Sequence, residues 1–265
     1  MYSWYLDAVS DNWGGVVHDN YSTLFPATYS NKFRVKQFNQ ALFTREFEVV
    51  GADFKFEECI PLLKSQFKKI QFRSSRGLNI ANTERVHQII HLDDEFDCNY
   101  STNAKRLIKK SNKNYTYRIV KCIDELIELV EQNVAHKIKE FTPDNIAKLK
   151  ELMNCAASKN KGETIAVFEN ETIVAAGFFL KDKSTVTYLK GASIDIAKKN
   201  GAMFGLMNYA FSSYNTDYSI FDFGGSNIES VANFYKKFGA KDKIYYEYTI
   251  NDLPLWFKLL KKFKK

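Results

Sequence analysis

The stretch 218–248, YSIFDFGGSNIESVANFYKKFGAKDKIYYEY, constrains the fold more than any other part of the chain. Ile220, Phe221, Asp222 and Phe223 suit a strand. Gly224-Gly225 breaks it, and Ser226 or Asn227 then offers a helix N-cap. Ile228, Val231, Phe234, Tyr235 and Phe238 recur at helical spacing, and Gly239 fits the C′ position that ends such a helix. A second strand, 244–250, follows. The unit is strand, glycine turn, short helix, strand. Its turn sets backbone N–H groups at a helix N-terminus, where a carboxylate, phosphate or amide oxygen can bind.

Most of the chain breaks into strands and amphipathic helices. Trp4, Tyr5, Leu6, Val9 and Trp13 are spaced for a short buried helix or turn, and 16–17 with 21–25 read as a hairpin. Strands are expected at 33–38, 47–50, 69–72 and 87–92, and a helix at 60–67 with Pro61 in its first turn. His87 and His91 are four apart, a ligand spacing on a helix. Val86, Ile89, Ile90 and Leu92 make this segment a strand instead, on which the two share a face about 13 Å apart. They read as surface or half-buried histidines, and no metal site is expected. Further on come helices at 123–134 and 142–157, the second capped by Thr142 with Pro143 behind it. A hairpin of 164–168 and 173–180, a strand at 185–192 and a long helix at 201–213 complete the order.

Within that order one set of residues carries a resemblance. Ala232, Phe234, Tyr235, Lys236, Lys237, Phe238, Gly239 and Ala240 resemble the final motif of the GNAT acyltransferases, A-x-F-Y-x-K-x-G-F/A. Asp222-Phe223-Gly224-Gly225-Ser226, followed by Phe234 and Phe238-Gly239-Ala240, looks more specifically like the Fem-related branch, in which two GNAT-like domains sit in one chain. Residues 100–111, YSTNAKRLIKKS, are similar to the Fem-type segment Y-S-x-N-x-x-R-x-I-K-K-A, which links the two halves beside the acceptor cleft. The resemblance implies an α/β chain of mixed sheets in two tandem GNAT-like domains. They would span 1–113 and 114–250, with 251–265 as a basic amphipathic tail.

The same resemblance implies a chemistry. An N-acyltransferase of this kind moves an acyl group from a thioester donor to a small-molecule amine, largely by aligning the two. Acetyl-CoA or another acyl-CoA would be a cosubstrate, with no permanently bound cofactor. Tyr235 would protonate the leaving thiolate, unless it is only a packed aromatic. Asp222 would orient the amine or cap the turn at Ser226. Backbone near Thr187 and Leu189 would polarise the carbonyl. The GNAT pyrophosphate loop, R/Q-x-x-G-x-G/A, has as its counterpart Ala197-Lys198-Lys199-Asn200-Gly201-Ala202, which keeps the lysines and Gly-Ala but not the full spacing. That looser loop is nearer the Fem type, many of whose members take the acyl group from an aminoacyl-tRNA. Tyr235 leans the other way, since Fem ligases usually carry lysine there.

The acceptor side would be Lys105, Arg106, Lys109 and Lys110, together with Gly224, Gly225, Ser226, Asn227 and Lys236. An arginine there binds an anion bidentately, and the plain alternative is a solvated helix face. Two other functions fit the same residues. One is a Fem-type aminoacyltransferase with aminoacyl-tRNA as partner and a cell-wall precursor as acceptor. The other is a non-catalytic ligand-binding module.

Charge separates the chain into regions. The net charge is +7, yet 258–265 holds five lysines and no acid, and 99–121 holds seven basic residues and no acid. The remainder is therefore net acidic, which argues against a uniformly nucleic-acid-binding surface. In the tail, Pro254 can start a helix. Leu253, Trp256, Phe257, Leu260 and Phe263 then share one face, with Lys258, Lys261, Lys262 and Lys265 on the others. Such a helix either packs on the C-terminal half or makes a weak contact with an anionic membrane surface. Cys59, Cys98, Cys122 and Cys155 form no C-x-x-C pair, so neither zinc nor a disulfide framework is expected. No apolar run approaches the ~20 residues of a membrane span, and the N-terminus lacks the features of a signal peptide. A bacterial-type cytoplasmic enzyme is the expectation, and the sequence does not set its oligomeric state.

Overall fold

The computed structural model describes residues 2–18, 21–51, 56–93, 95–225 and 228–263. It divides into two compact units, Met1–Arg85 with Ile244–Lys265, and Val86–Lys243. The first begins with α1 (Ser3–Val9), β1 (Trp13–His18), β2 (Thr23–Lys32), β3 (Val35–Asn39), β4 (Val50–Gly51), α2 (Cys59–Gln66) and β5 (Lys69–Ser74). Along β6 (Asn82–His91) the chain passes into the second unit. There it forms α3 (Thr102–Asn114), β7 (Thr116–Val120), α4 (Ile123–Asn133), α5 (Pro143–Ser158), β8 (Gly162–Glu169) and β9 (Thr172–Asp182). Next come β10 (Thr185–Ser193), α6 (Asp195–Lys199), α7 (Ala202–Tyr214), β11 (Ile220–Asp222) and α8 (Glu229–Lys236). Finally β12 (Lys241–Asn251) returns to the first unit, followed by α9 (Leu255–Phe263).

In the first unit β1 and β2 form an antiparallel hairpin from Trp13↔Thr28 to His18↔Thr23. A second hairpin joins β2 to β3 through Phe33 and Arg34, whose φ values are +51° and +61°. A two-residue loop with both residues left-handed is the type I′ turn that favours Asn-Gly, so an aromatic and an arginine stand where glycine is the low-strain choice. β3 runs parallel to β5, and β5 pairs antiparallel with β12 from Ser74↔Tyr246 to Lys69↔Asn251. The core is aromatic. Phe38 stacks on Phe72 at 5.7 Å, and Phe72 on Tyr248 at 5.1 Å. The Tyr248 hydroxyl accepts from the Leu78 amide and donates to the Arg76 carbonyl, each at 2.8 Å. Of the strand expected at 47–50, only Val50 enters one. Phe47 is buried, and its amide donates to the Arg73 carbonyl.

In the second unit β7, β8, β9 and β10 form an antiparallel run, β11 joins β10 in parallel, and β6 joins β11 antiparallel. Phe178 and Gly177 are neighbours in β9 and face opposite ways. The first meets α5 at Ala156, and the second faces Leu206 of α7, so these helices cover opposite faces. The Ser101 hydroxyl caps α3 by accepting the Ala104 amide, and the Thr142 hydroxyl caps α5 by accepting the Asn145 amide.

The boundary expected near residue 113 falls inside the second unit. Ala104, Ile108 and Ser111 bury one face of α3, and α7 meets it so closely that a Cβ on Gly205 would run into the Tyr117 and Ser111 hydroxyls. The second expected boundary, at 250, also differs, because 246–251 pair with β5 of the first unit. Among the described residues no helix is long and apolar enough to cross a membrane.

Candidate functional site

Two local irregularities of β10 and β11 make the site. The parallel pairing lasts only for Thr185↔Ile220, Val186↔Phe221 and Thr187↔Asp222. Beyond Asp222 the chain leaves β10, and the Phe223 amide donates to the Gln88 carbonyl of β6. At the same level β10 shifts register against β9, from Tyr188↔Phe179 to Lys190↔Phe178. Leu189 is the extra residue of this bulge. Paired residues share a face, and Phe178 and Phe179 lie on opposite faces, so the bulge also turns Tyr188 and Lys190 to opposite sides.

A carboxylate, an imidazole and two phenols gather there. Asp222 and His87 are both buried. Asp222 Oδ1 lies 3.2 Å from His87 Nδ1 and accepts the Gly224 amide at 2.8 Å. With the carboxylate ionised, the Nδ1 proton is the donor in the first contact. Gly224 and Gly225 have φ values of +74° and +79°, a conformation that folds the chain back over His87. The Tyr235 ring stacks on Phe223 at 4.3 Å. Burial raises the Tyr235 pKa above the usual phenol value, and the Asp222 charge raises it further. Tyr188 is raised by burial and then by Tyr235, so the three groups feel one another. The Tyr188 hydroxyl lies over Gly191, in the space that a side chain there would take.

Of the residues expected from sequence, Asp222, Tyr235, Thr187, Leu189, Gly224 and Gly225 fall in this region of the second unit. Asp222 bonds to His87 and to the amide of Gly224, where the expected cap was at Ser226. Ser226 and Asn227 lie outside the described residues. Lys236 is tied up elsewhere, in an ion pair with Asp242 at 2.7 Å. That bond, with one from Gln88, holds the Asp242 carboxyl below its usual range. Lys105, Arg106, Lys109 and Lys110 are all exposed on α3, and Arg106 donates to Asn103 one turn back.

The segment expected to be an open pyrophosphate loop is partly helical, because α6 takes up Lys198 and Lys199, both exposed. Asn200 caps α6 as its amide reaches back to Ile196 and Ala197. Gly201 and Ala202 are buried, and the Leu107 backbone of α3 would lie 2.7 Å from a Cβ on Gly201.

The sequence places His87 as a surface or half-buried histidine sharing a face with His91, and the structure differs. His87 is buried and partnered, while His91 is exposed. Its contact with Asp222 spans 135 residues, so nothing local signals it. Lys190 likewise carries no local signal, since its face is set by the register shift at Leu189. Its ammonium sits 4.3 Å over the Phe141 ring, and burial lowers its pKa to about 8. Among the described residues no group of three or more His, Cys, Asp or Glu side chains is placed to hold a metal ion.

No family model and no curated protein matches the chain. Solved structures do. FemX is similar over 94% of this chain and 90% of its own, at 12% identity and a TM-score of 0.64. L-PGS from Bacillus licheniformis is similar over 97% of this chain and 89% of its own, at 13% identity and a TM-score of 0.59. A tandem GNAT protein from the clavulanic acid biosynthesis pathway is similar over 95% of this chain and 87% of its own, at 6% identity and a TM-score of 0.54. The chain thus has a GNAT fold, similar to those of FemX and the tandem GNAT protein.

Proposed function

We propose that the chain is an N-acyltransferase that moves an acyl group from a thioester such as acyl-CoA to an amine. The observation that carries this reading is the buried Asp222–His87 pair where β10 and β11 part, beside the bulge at Leu189. In this reading the acyl group is held where the strands part, and bulge backbone around Leu189 would supply donors for the developing oxyanion. The amine nitrogen attacks the carbonyl carbon, the C–N bond forms and the C–S bond breaks. The proton lost by the amine goes to the imidazole of the Asp222–His87 pair and ends on the released thiol. Asp222 orients His87 and stabilises its charged form.

Tyr235 has a changed role in this scheme. A phenol with a raised pKa keeps its proton more firmly than a thiol does. It therefore donates a hydrogen bond to the departing sulfur instead of protonating it. Arg106, Lys105 and Lys109 would meet anionic groups of a substrate at the exposed face of α3. Of the 197–202 segment, only the exposed Lys198 and Lys199 with Asn200 would be left to meet the donor's pyrophosphate.

The burial of Gly201 and Ala202 beneath α3 favours a second reading, in which the donor is an aminoacyl-tRNA. FemX and L-PGS, both similar in fold, support a Fem-type reaction with a cell-wall precursor or another large acceptor. Release of thiol from acetyl-CoA with a panel of amines tests the first donor, and transfer from charged tRNA tests the second. Turnover in either assay that His87→Ala and Asp222→Asn abolish supports acyl transfer. Absence of turnover with both donors, alongside saturable ligand binding, would leave a binding module.

A further inference from the structure

We propose that α9 and the tip of the β2–β3 hairpin form a patch that docks on the surface of an anionic lipid bilayer. The helix has two apolar sides. Leu253, just before it, and Phe257 are buried against Val35, a face provided by the first unit and not by the C-terminal half. Leu255, Trp256 and Leu259 lie outside that cluster and are 79%, 47% and 54% exposed, although one edge of the Trp256 ring meets Phe257 at 5.5 Å between centroids. At 100° per residue these three fall within one arc of about 100°, on the side turned from Phe257. A helix serving only as a cap would present polar residues there.

An element far away in sequence extends the patch. Phe33, 63% exposed, approaches the Phe257 ring at 6.4 Å between centroids. It stands at the tip of the left-handed turn Phe33-Arg34, where low strain would select small residues. Lys32, which pairs with Val35, and Arg34 and Lys258 are exposed near these apolar groups. The sequence adds Lys261 and Lys262, and Asp252 is the one acid in 251–265. Leucines and aromatics ringed by cations suit the boundary between headgroups and acyl chains. An RNA partner would match the cations but leave Leu255 and Leu259 with nothing to bury against.

The test is sedimentation of the full chain with phosphatidylcholine vesicles containing phosphatidylglycerol, against phosphatidylcholine alone. The expected result is binding to the anionic vesicles that weakens with salt. The triple variant Leu255→Ser, Trp256→Ser, Leu259→Ser should bind about tenfold less, or worse. All three positions are exposed, so its circular dichroism should match the parent; the double variant Leu255→Ser, Leu259→Ser, which keeps Trp256 against Phe257, should also keep the parent's melting and still bind less. Lys258→Glu, which changes no apolar group, should also weaken binding. Equal sedimentation of parent and triple variant overturns the proposal. So does binding of the parent to tRNA but not to vesicles, or a concentration-dependent dimer that the triple variant abolishes.

Discussion

Lys190→Met should stabilise the protein at neutral pH, and the gain should shrink as pH rises. The ammonium is half-buried over the Phe141 ring, and no carboxylate pairs with it among the described residues. Burial lowers its pKa from 10.5 to about 8. At ~1.4 kcal/mol per pH unit, that shift opposes folding by about 3 kcal/mol when the lysine is charged in both states. The ring face returns about 1 kcal/mol, leaving a net cost of about 2 kcal/mol that methionine removes.

The sign follows from proton counts. Between pH 8 and 10.5 the unfolded chain holds more protons at this site than the native chain, so native stability rises with pH in that window. Urea unfolding of parent and variant at pH 7 and again at about pH 9.5 measures the difference, and groups common to both chains cancel. The variant's advantage should fall from about 2 to about 1 kcal/mol. An advantage independent of pH would mean that Lys190 titrates as a solvated lysine. Loss of stability in the variant at both pH values would mean that the cation–ring contact outweighs burial.

Three further outcomes are expected. Asp222→Asn should lower acyl-transfer turnover by ~10²–10⁴-fold at unchanged KM, read by thiol release, because a neutral amide orients His87 less well and cannot stabilise its charged form. Tyr235→Phe should lower turnover only about tenfold, the worth of one hydrogen bond to the leaving sulfur; a loss as large as that of Asp222→Asn would restore it as a proton donor. Gly205→Ala should cost about 1–3 kcal/mol in thermal unfolding, since the new methyl meets the Tyr117 and Ser111 hydroxyls between α3 and α7; an unchanged melting temperature would show that this packing yields freely.

Whatever is decided within a few residues was legible in the sequence. The strand leading into the glycine turn, the break at Gly224-Gly225, the cap Thr142 and the meander β8–β10 all have local causes. What escaped was set by distant partners or by a single register shift. His87 depends on Asp222, which no periodicity in β6 points to. The bulge at Leu189 moves Lys190 to the face opposite Tyr188, and its only trace is a pairing offset between strands. In the tail, the wheel placed Trp256 with Phe257 on one apolar face, whereas packing on Val35 uses Leu253 and Phe257 and leaves Trp256 out. The 197–202 segment read as a loop because Gly201 ends a helix as readily as it opens a phosphate cradle.

The return of β12 to the first unit has a consequence for biosynthesis. Phe25, Phe38 and Phe72 emerge early, but Tyr248, which completes their stack and bonds Leu78, lies 170 residues beyond that leucine. At ~5–20 residues per second a ribosome needs roughly ten to thirty-five seconds to supply it. Throughout that interval the edge of β5 lacks its last partner, and an aromatic cluster waits without its lid. The second unit, contiguous from Val86 to Lys243, can close in the meantime. The part made first is therefore finished last, which makes the nascent first unit the natural client of a holding chaperone and the place where a truncated transcript would aggregate.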